Sequence, residues 1–558
     1  MAVLNVFHFG AFFSCISIAM AAACTPYCSC WQNSEADSVS ALCKFPNSTT
    51  FQKDISELPA NLSELHLVGS LGNITEGMFS NLTFSNGLTK MFWWLTQIES
   101  VEAGSFKGLS NLTTLSFAGT SLTTIPTGLL DGVAKLQELH FNQHQNVTSV
   151  PSGVFSAGAC VESIEFTNNA IETLADETFK NASSCLVTLN LENNKIKEIS
   201  NATFTELLKL ETLSLSSNKN MNISSAGFGS LSRLKSLKLD SVFGSDTLPT
   251  DVFRGLDKLR SLSIQDGGLK TFTPEDFQPI AKLEKIDLSG NRIETFPGTA
   301  LANLTSLKEL RLVSNSAGTG AGMVITLGAF SPFSELTTLD MNGTRIAQPD
   351  GGVFKGLTSL TTLNLDQSSL EVITPGMFSG LQNLSSLSLD SNKLITLPND
   401  LFKGLTSLNM LSLAHNRISR IEDNAFAGLG NLNALRLDYN SLTTLAVACL
   451  KPVAATEVFL HDNPWDCTCD LDPLRTWIKE NHNFTADVRC VTPSGLKGKF
   501  LVKLTHEEVC SEPSEYVDVG LYVGIAFVVL FLILVVTGAI IYFYQKRKQG
   551  TNSRERLT

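Results

Sequence analysis

The chain has 558 residues, 43% of them apolar, with 34 Phe, 12 Cys and a formal net charge of −12. An acidic balance of that size excludes nucleic acid as the main partner, because phosphate binding needs a basic surface. The length would ordinarily mean several globular domains, unless one domain grows by adding copies of a small unit.

Met1 to Ala23 is a run of apolar and small residues ending in Ala21-Ala22-Ala23. Residues 1–23 read as a secretory signal peptide cleaved near Ala23, although without a basic leader. A lipidated Cys24 is the competing reading. Against it stand the cysteine cluster that Cys24 joins and a second apolar segment at the far end. Cys24, Cys28, Cys30 and Cys43 lie within twenty residues, in a cap spanning 24–61. In an exported chain four clustered cysteines point to two disulfides; zinc is the alternative, with no His inside the cluster to support it.

A repeat begins at Leu62. Leu384–Phe402 and Leu408–Phe426 match position for position at a spacing of 24 residues. The leading apolar residue of that pattern recurs sixteen times between Leu62 and Leu432, mostly 24 or 25 residues apart. Apolar residues at fixed offsets followed by Asn mark a leucine-rich repeat, so 62–455 holds about sixteen stacked coils. One step, Leu307 to Leu336, is longer and contains the Gly-rich stretch 316–322, expected as a projecting loop. The expected fold is an α/β solenoid, a leucine-rich-repeat horseshoe with a parallel concave sheet.

Within a coil, alternation such as Leu411-Ser412-Leu413 gives a short strand with Leu inward and Ser outward. The Asn three positions later, as in Asn392 and Asn416, is expected to be buried, its amide satisfying backbone groups where the coil turns. Phe residues in one register, from Phe106 to Phe426, form an apolar spine under the other side, with Leu130 and Leu301 as substitutes. Cys160 and Cys185 each precede the leading residue of adjacent coils, where strands lie about 5 Å apart, within disulfide reach. A bridge between them is expected, with two buried free thiols as the alternative. Cys449 is left over, either a buried free thiol or an intermolecular bridge.

The coils give way to a second cysteine region, 456–511, with Asn463-Pro464-Trp465-Asp466-Cys467-Thr468-Cys469, Trp477, Cys490 and Cys510. A linker, 512–518, leads into 519–544, which holds no charged residue. As a helix its core would run about 36 Å, against about 30 Å of hydrocarbon. Lys546, Arg547 and Lys548 follow, so the positive-inside rule places the basic tail, 545–558, in the cytoplasm and the bulk outside. The expectation is a single-pass type I protein of the plasma membrane. Gly520 and Gly524 form one Gly-x-x-x-Gly pattern, which suits pairing with a co-receptor or a second copy. Glycosylation sequons at Asn47, Asn61, Asn73, Asn81, Asn111, Asn146, Asn181, Asn201, Asn222, Asn303, Asn342, Asn383 and Asn483 fit an exported surface. Among these, only Asn342 is expected at an outward strand position.

The Asn463–Cys469 motif, together with Cys490 and Cys510, resembles the C-terminal cap of extracellular leucine-rich-repeat proteins, and Cys24 to Cys43 resembles their N-terminal cap. The architecture is similar to that of Toll-like-receptor ectodomains, Slit-type modules, platelet glycoprotein subunits and variable lymphocyte receptors. That resemblance implies the pairs Cys24–Cys30, Cys28–Cys43, Cys467–Cys490 and Cys469–Cys510. It covers about Cys24 to Cys510. The 14-residue tail departs from the Toll-like pattern, so signalling is expected to need a partner chain.

No constellation here points to catalysis. His140 and His461 face outward without a nucleophile at a recognisable spacing, and Gly318–Gly322 lacks the Lys and helix of a phosphate loop. The expectation is a non-enzyme without cofactor or metal, binding an extracellular protein or glycan in innate-immune recognition or adhesion. A structural or matrix-anchoring protein without receptor activity is the alternative. Candidate contact residues are Phe92 and Trp94, pointing outward unless an N-terminal segment folds over them. An acidic strip of Asp340, Asp366, Asp390 and Asp438 would draw a basic partner or hold Ca²⁺ weakly.

Overall fold

A computed structural model describes residues 22–552, apart from 34–37, 156–159, 177, 183, 316–321, 348–350, 454–456, 482–486 and 511–518. All but the last two residues of the expected signal peptide, nearly all of the Gly-rich stretch, Asn483 and the linker 512–518 lie outside the described residues. The chain divides into two units: residues up to Asn463 with His482–Asp487, and Pro464–Asn481 with Val488 onward.

The first unit is built on a 20-stranded sheet. Leu62 opens its strand, each of the other leading residues stands two positions before one, and Glu457–Phe459 adds that of a truncated coil. Neighbours pair in parallel and in register; Leu363, Leu387, Leu411 and Leu435 are successive partners. Every leading residue is 0–1% exposed, so the recurrence that defines the repeat is also the innermost line of its core. On the far side of the coils Phe354, Phe378, Phe402 and Phe426 stack ring on ring at 6.3, 6.0 and 6.1 Å. Coil stacking is thus one continuous apolar column, with burial of each Phe contributing about 2–3 kcal/mol.

The asparagines tie that column to the backbone. Asn392 Nδ2 donates to Leu365 O of the preceding coil at 2.8 Å and to its own Leu389 O at 3.0 Å, while its Oδ1 accepts from Leu370 N at 3.0 Å. Asn416 and Asn440 repeat the arrangement. Thr344 and Ser368 replace Asn in two coils, each bonding a carbonyl of the coil before.

At the N-terminus Ala22–Thr25, Cys28–Gln32 and Val39–Phe45 form an antiparallel meander, whose last strand pairs in parallel with Leu62–Ile74. Cys24–Cys30 and Cys28–Cys43 lock it, and Cys160–Cys185 staples two coils at a Cα separation of 5.1 Å. Cys449 is a buried free thiol, pushed up to about 12 by burial and donating to Ala446 O. In the second unit Cys467–Cys490 and Cys469–Cys510 hold helix Asp472–Glu480, with Leu471, Leu474 and Val488 buried. Helix Val519–Asn552 contains Gly524–Arg547, apolar and long enough to cross a membrane, and continues past the expected boundary at 544.

Candidate ligand-binding site

Side chains on the outer face of the sheet fall in rows set by strand register. One row runs His66, Phe92, Ser116, His140, Glu165; the next runs Val68, Trp94, Ala118, Asn142. The strand Lys90–Val101 alternates strictly at its start: Met91 and Trp93 are fully buried, Phe92 and Trp94 half-exposed. Trp93 packs inward against Phe117 and Phe106 at 5.6 and 6.2 Å. That anchor fixes which face Phe92 and Trp94 take.

Phe92 and Trp94 do not stand alone. His66 stacks on Phe92 at 4.8 Å, with planes 10° apart, and Trp31 of the N-terminal meander stacks on His66 at 6.2 Å. Phe92 and Trp94 lie 5.9 Å apart and nearly parallel. Trp94 Nε1 donates to His66 Nδ1 at 3.1 Å, and His66 Nε2 meets Glu64 Oε1 at 2.8 Å. That hydrogen bond to His66 holds the Glu64 carboxyl below its ordinary value, against burial. Trp31 and His66 therefore extend the patch sideways along the sheet. His66 occupies the same repeat position as Phe92, so register alone could have found it. Trp31 lies outside the repeat and carried no such signal.

Beyond Phe92 the row drops to Ser116 and then rises again at His140. His140 Nδ1 meets Glu165 Oε2 at 2.8 Å, and its Nε2 stands 3.8 Å from Glu138 Oε2, beyond hydrogen-bond length. Burial pulls the His140 value down; the bond to Glu165 and the charges and polar contact of Glu165 and Glu138 outweigh it and raise it overall. A depression of about 240 Å³ opens here, lined by Phe92, Trp94, Ser116, Ala118, His140 and Asn142, with Gln143, Thr167 and Asn168 at its edge.

The acidic strip requires correction. Asp340 pairs with Asn364, Ser388 and Ser412 in register, whereas Asp366, Asp390 and Asp438 lie two residues further along their coils, level with Asn342 and Ala414. Nor do these carboxylates stand free. Asp366 Oδ1 accepts from Ser388 Oγ at 2.6 Å and from Asp390 N at 2.7 Å; Asp390 Oδ1 accepts from Ser412 Oγ at 2.5 Å and from Ala414 N at 2.7 Å. Asp438 is fully buried and held by Arg436 at 2.8 and 3.2 Å, while Asp340 is shared with Arg311 at 3.4 Å. Burial raises the Asp366 value despite those donors. The strip is a coil-to-coil ladder, because a carboxylate beside unpaired backbone N–H groups bonds them first. Asn342 likewise lies past its strand, Thr338–Asp340, and is half-buried.

Of the other described sequons, Asn111 is half-buried and the rest are exposed. Asn111 and Asn383 donate across coils to Asn86 O and Thr358 O at 2.7 and 2.8 Å, so a glycan there would extend from the flank. Asp472 and His506 approach Cys510, but its sulfur is committed to Cys469, which removes a metal reading of that trio. At the far end His461 meets Asp462 at 2.8 Å, and Tyr439 stacks on His415 at 4.2 Å.

The register, ladder and caps define a class, and the chain belongs to the leucine-rich-repeat proteins. The leucine rich repeat model matches residues 184–241, 245–293, 257–316, 334–394 and 382–442, and the BspA type leucine rich repeat region matches 79–211; together they span more than half the chain. Among curated relatives, mouse SLIT and NTRK-like protein 4 is 39% identical over 56 residues, 10% of this chain and 7% of its own length. Rat platelet glycoprotein Ib beta chain is 38% identical over 72 residues, 12% of this chain and 35% of its own. The chain thus matches only short stretches of these relatives. Drosophila Toll, solved in complex with Spatzle, shares the fold at a TM-score of 0.64 and 18% identity, over 84% of this chain and 71% of that one.

Proposed function

We propose that this protein is a single-pass type I glycoprotein of the plasma membrane. It captures an extracellular protein or glycan on the outer face of its parallel sheet, in innate-immune recognition or adhesion, with a partner chain carrying any signal. The observation that carries this reading is the Trp31–His66–Phe92–Trp94 stack beside an open depression on that face. Aromatic clusters bring large contact area at low entropic cost, which is where binding energy concentrates. Among the described sequons only Asn73, near the end of Leu62–Ile74, falls within a strand of this sheet, which leaves most of the face open to a partner. The apolar helix Gly524–Arg547, followed by basic residues, supports anchoring with this face outside. Toll, with its solved Spatzle complex, gives a precedent for a protein ligand on this fold.

A photo-crosslinker tests the reading on cells displaying the full chain. Placed at Gln143, on the edge of the depression, it should capture an extracellular partner; at Lys403, on the opposite side of the coils, it should not. Capture at Lys403 with none at Gln143 would overturn the assignment.

A further inference from the structure

The depression is a slot made by an interruption in an aromatic row. Trp31 stacks on His66 from two strands away, His66 stacks on Phe92 of the neighbouring strand, and a further ring would sit at Ser116. Instead Ser116, and beside it Ala118, are small and form a floor, each only 7% exposed. Two strand steps separate Phe92 from His140, about 9–10 Å. Among the described residues no ring stacks on the Phe92 face turned toward Ser116. At about 240 Å³ the space is smaller than the ~300–1,000 Å³ of drug-sized sites, so it takes a single ring.

The two walls differ in chemistry. One presents the aromatic faces of Phe92 and Trp94, which attract the weakly positive edges of C–H bonds. The other is a polar row: His140 Nε2, 3.8 Å from Glu138 Oε2, and Asn142, whose Oδ1 accepts from Thr167 N at 2.9 Å and whose amide donates to Glu165. A flat apolar ring would satisfy the first wall but strip water from the polar row of the second without offering it a hydrogen bond. A saturated sugar ring matches both, with a C–H face and a hydroxylated rim. Glu138 and Glu165 beside His140 oppose an acidic sugar.

We infer that the slot between Phe92 and His140 binds one neutral monosaccharide unit of a larger glycan. This rests on the outer-face reading above and names its ligand class. Cells displaying the full chain are overlaid with multivalent carriers of neutral hexoses, fucose or N-acetylhexosamines, and with a sialylated carrier as the acidic comparison. At least one neutral carrier should be retained, displaced by the matching free sugar, and reduced at least tenfold by Ser116→Phe, which completes the aromatic row, and by His140→Ala. Surface display of each variant is measured in parallel; if Ser116→Phe fails to reach the surface, Ala118→Leu fills the same slot. Retention of no neutral carrier, retention of the sialylated carrier alone, or binding indifferent to the slot-filling variants overturns the inference. A protein ligand insensitive to free sugar but lost in Ser116→Phe would also overturn it, while leaving the outer-face reading standing. That broader reading falls instead if a captured ligand ignores substitutions at 92, 94, 116 and 140 alike.

Discussion

Asp366 and Asp390 show how a residue type misleads when its neighbours are a coil away. Each was readable as an outward acid, and each spends one oxygen on a Ser hydroxyl and a backbone N–H of the next coil. Alternation along a strand reveals which side a residue takes, but not whether its carboxylate turns to solvent or to the adjacent strand. The ladder predicts a contrast. Asp366→Ala removes both bonds and should lower local stability by about 2–3 kcal/mol, read as faster hydrogen exchange at the Asp390 amide. Asp366→Asn keeps an acceptor oxygen in place and should cost less than about 1 kcal/mol. Equal effects of the two would mean that the charge, rather than the acceptor, is what matters there.

Single coils were the most legible element, because spacing, inward Leu and turn Asn all follow from a repeat of 24 or 25 residues. The Asn ladder has a matching prediction. Asn392→Ala leaves Leu365 O and Leu370 N buried without partners, while Leu389 O keeps Asn416, and should destabilise its coil by about 2–3 kcal/mol, seen as lost protection at Leu370. In the N-terminal coils that position departs from Asn: Thr120 and His144 fill it, joined by a 2.7 Å hydrogen bond. His144 is buried, stacks on Phe141 at 4.0 Å, and is pushed by that burial from the ordinary 6.5 down to about 4. Protons therefore favour the unfolded coil. Its stability should be full above about pH 6.5 and decline as pH falls toward about 4, by about 3 kcal/mol in all. Hydrogen exchange over 138–147, measured across that range, checks this; His144→Asn should flatten the dependence.

For the whole molecule, stacking turns sixteen similar coils into one sheet on which a few departures stand out. Those departures were only partly legible. Phe92 and Trp94 could be found by alternation, whereas Trp31 reaches them from the cap, and the slot exists because Ser116 and Ala118 fall between larger residues of neighbouring coils. Such features depend on register between units that lie far apart along the chain. The central claim is that this N-terminal stretch of the sheet holds the ligand. Retention of extracellular protein or glycan by cells displaying the full chain tests it most directly, comparing Phe92→Ala with Trp94→Ala against Thr362→Ala with Ser386→Ala further along the face. The account predicts at least a tenfold loss, about 1.4 kcal/mol or more, for the first pair and little change for the second. Undiminished retention by the first pair, with loss in the second, would contradict it.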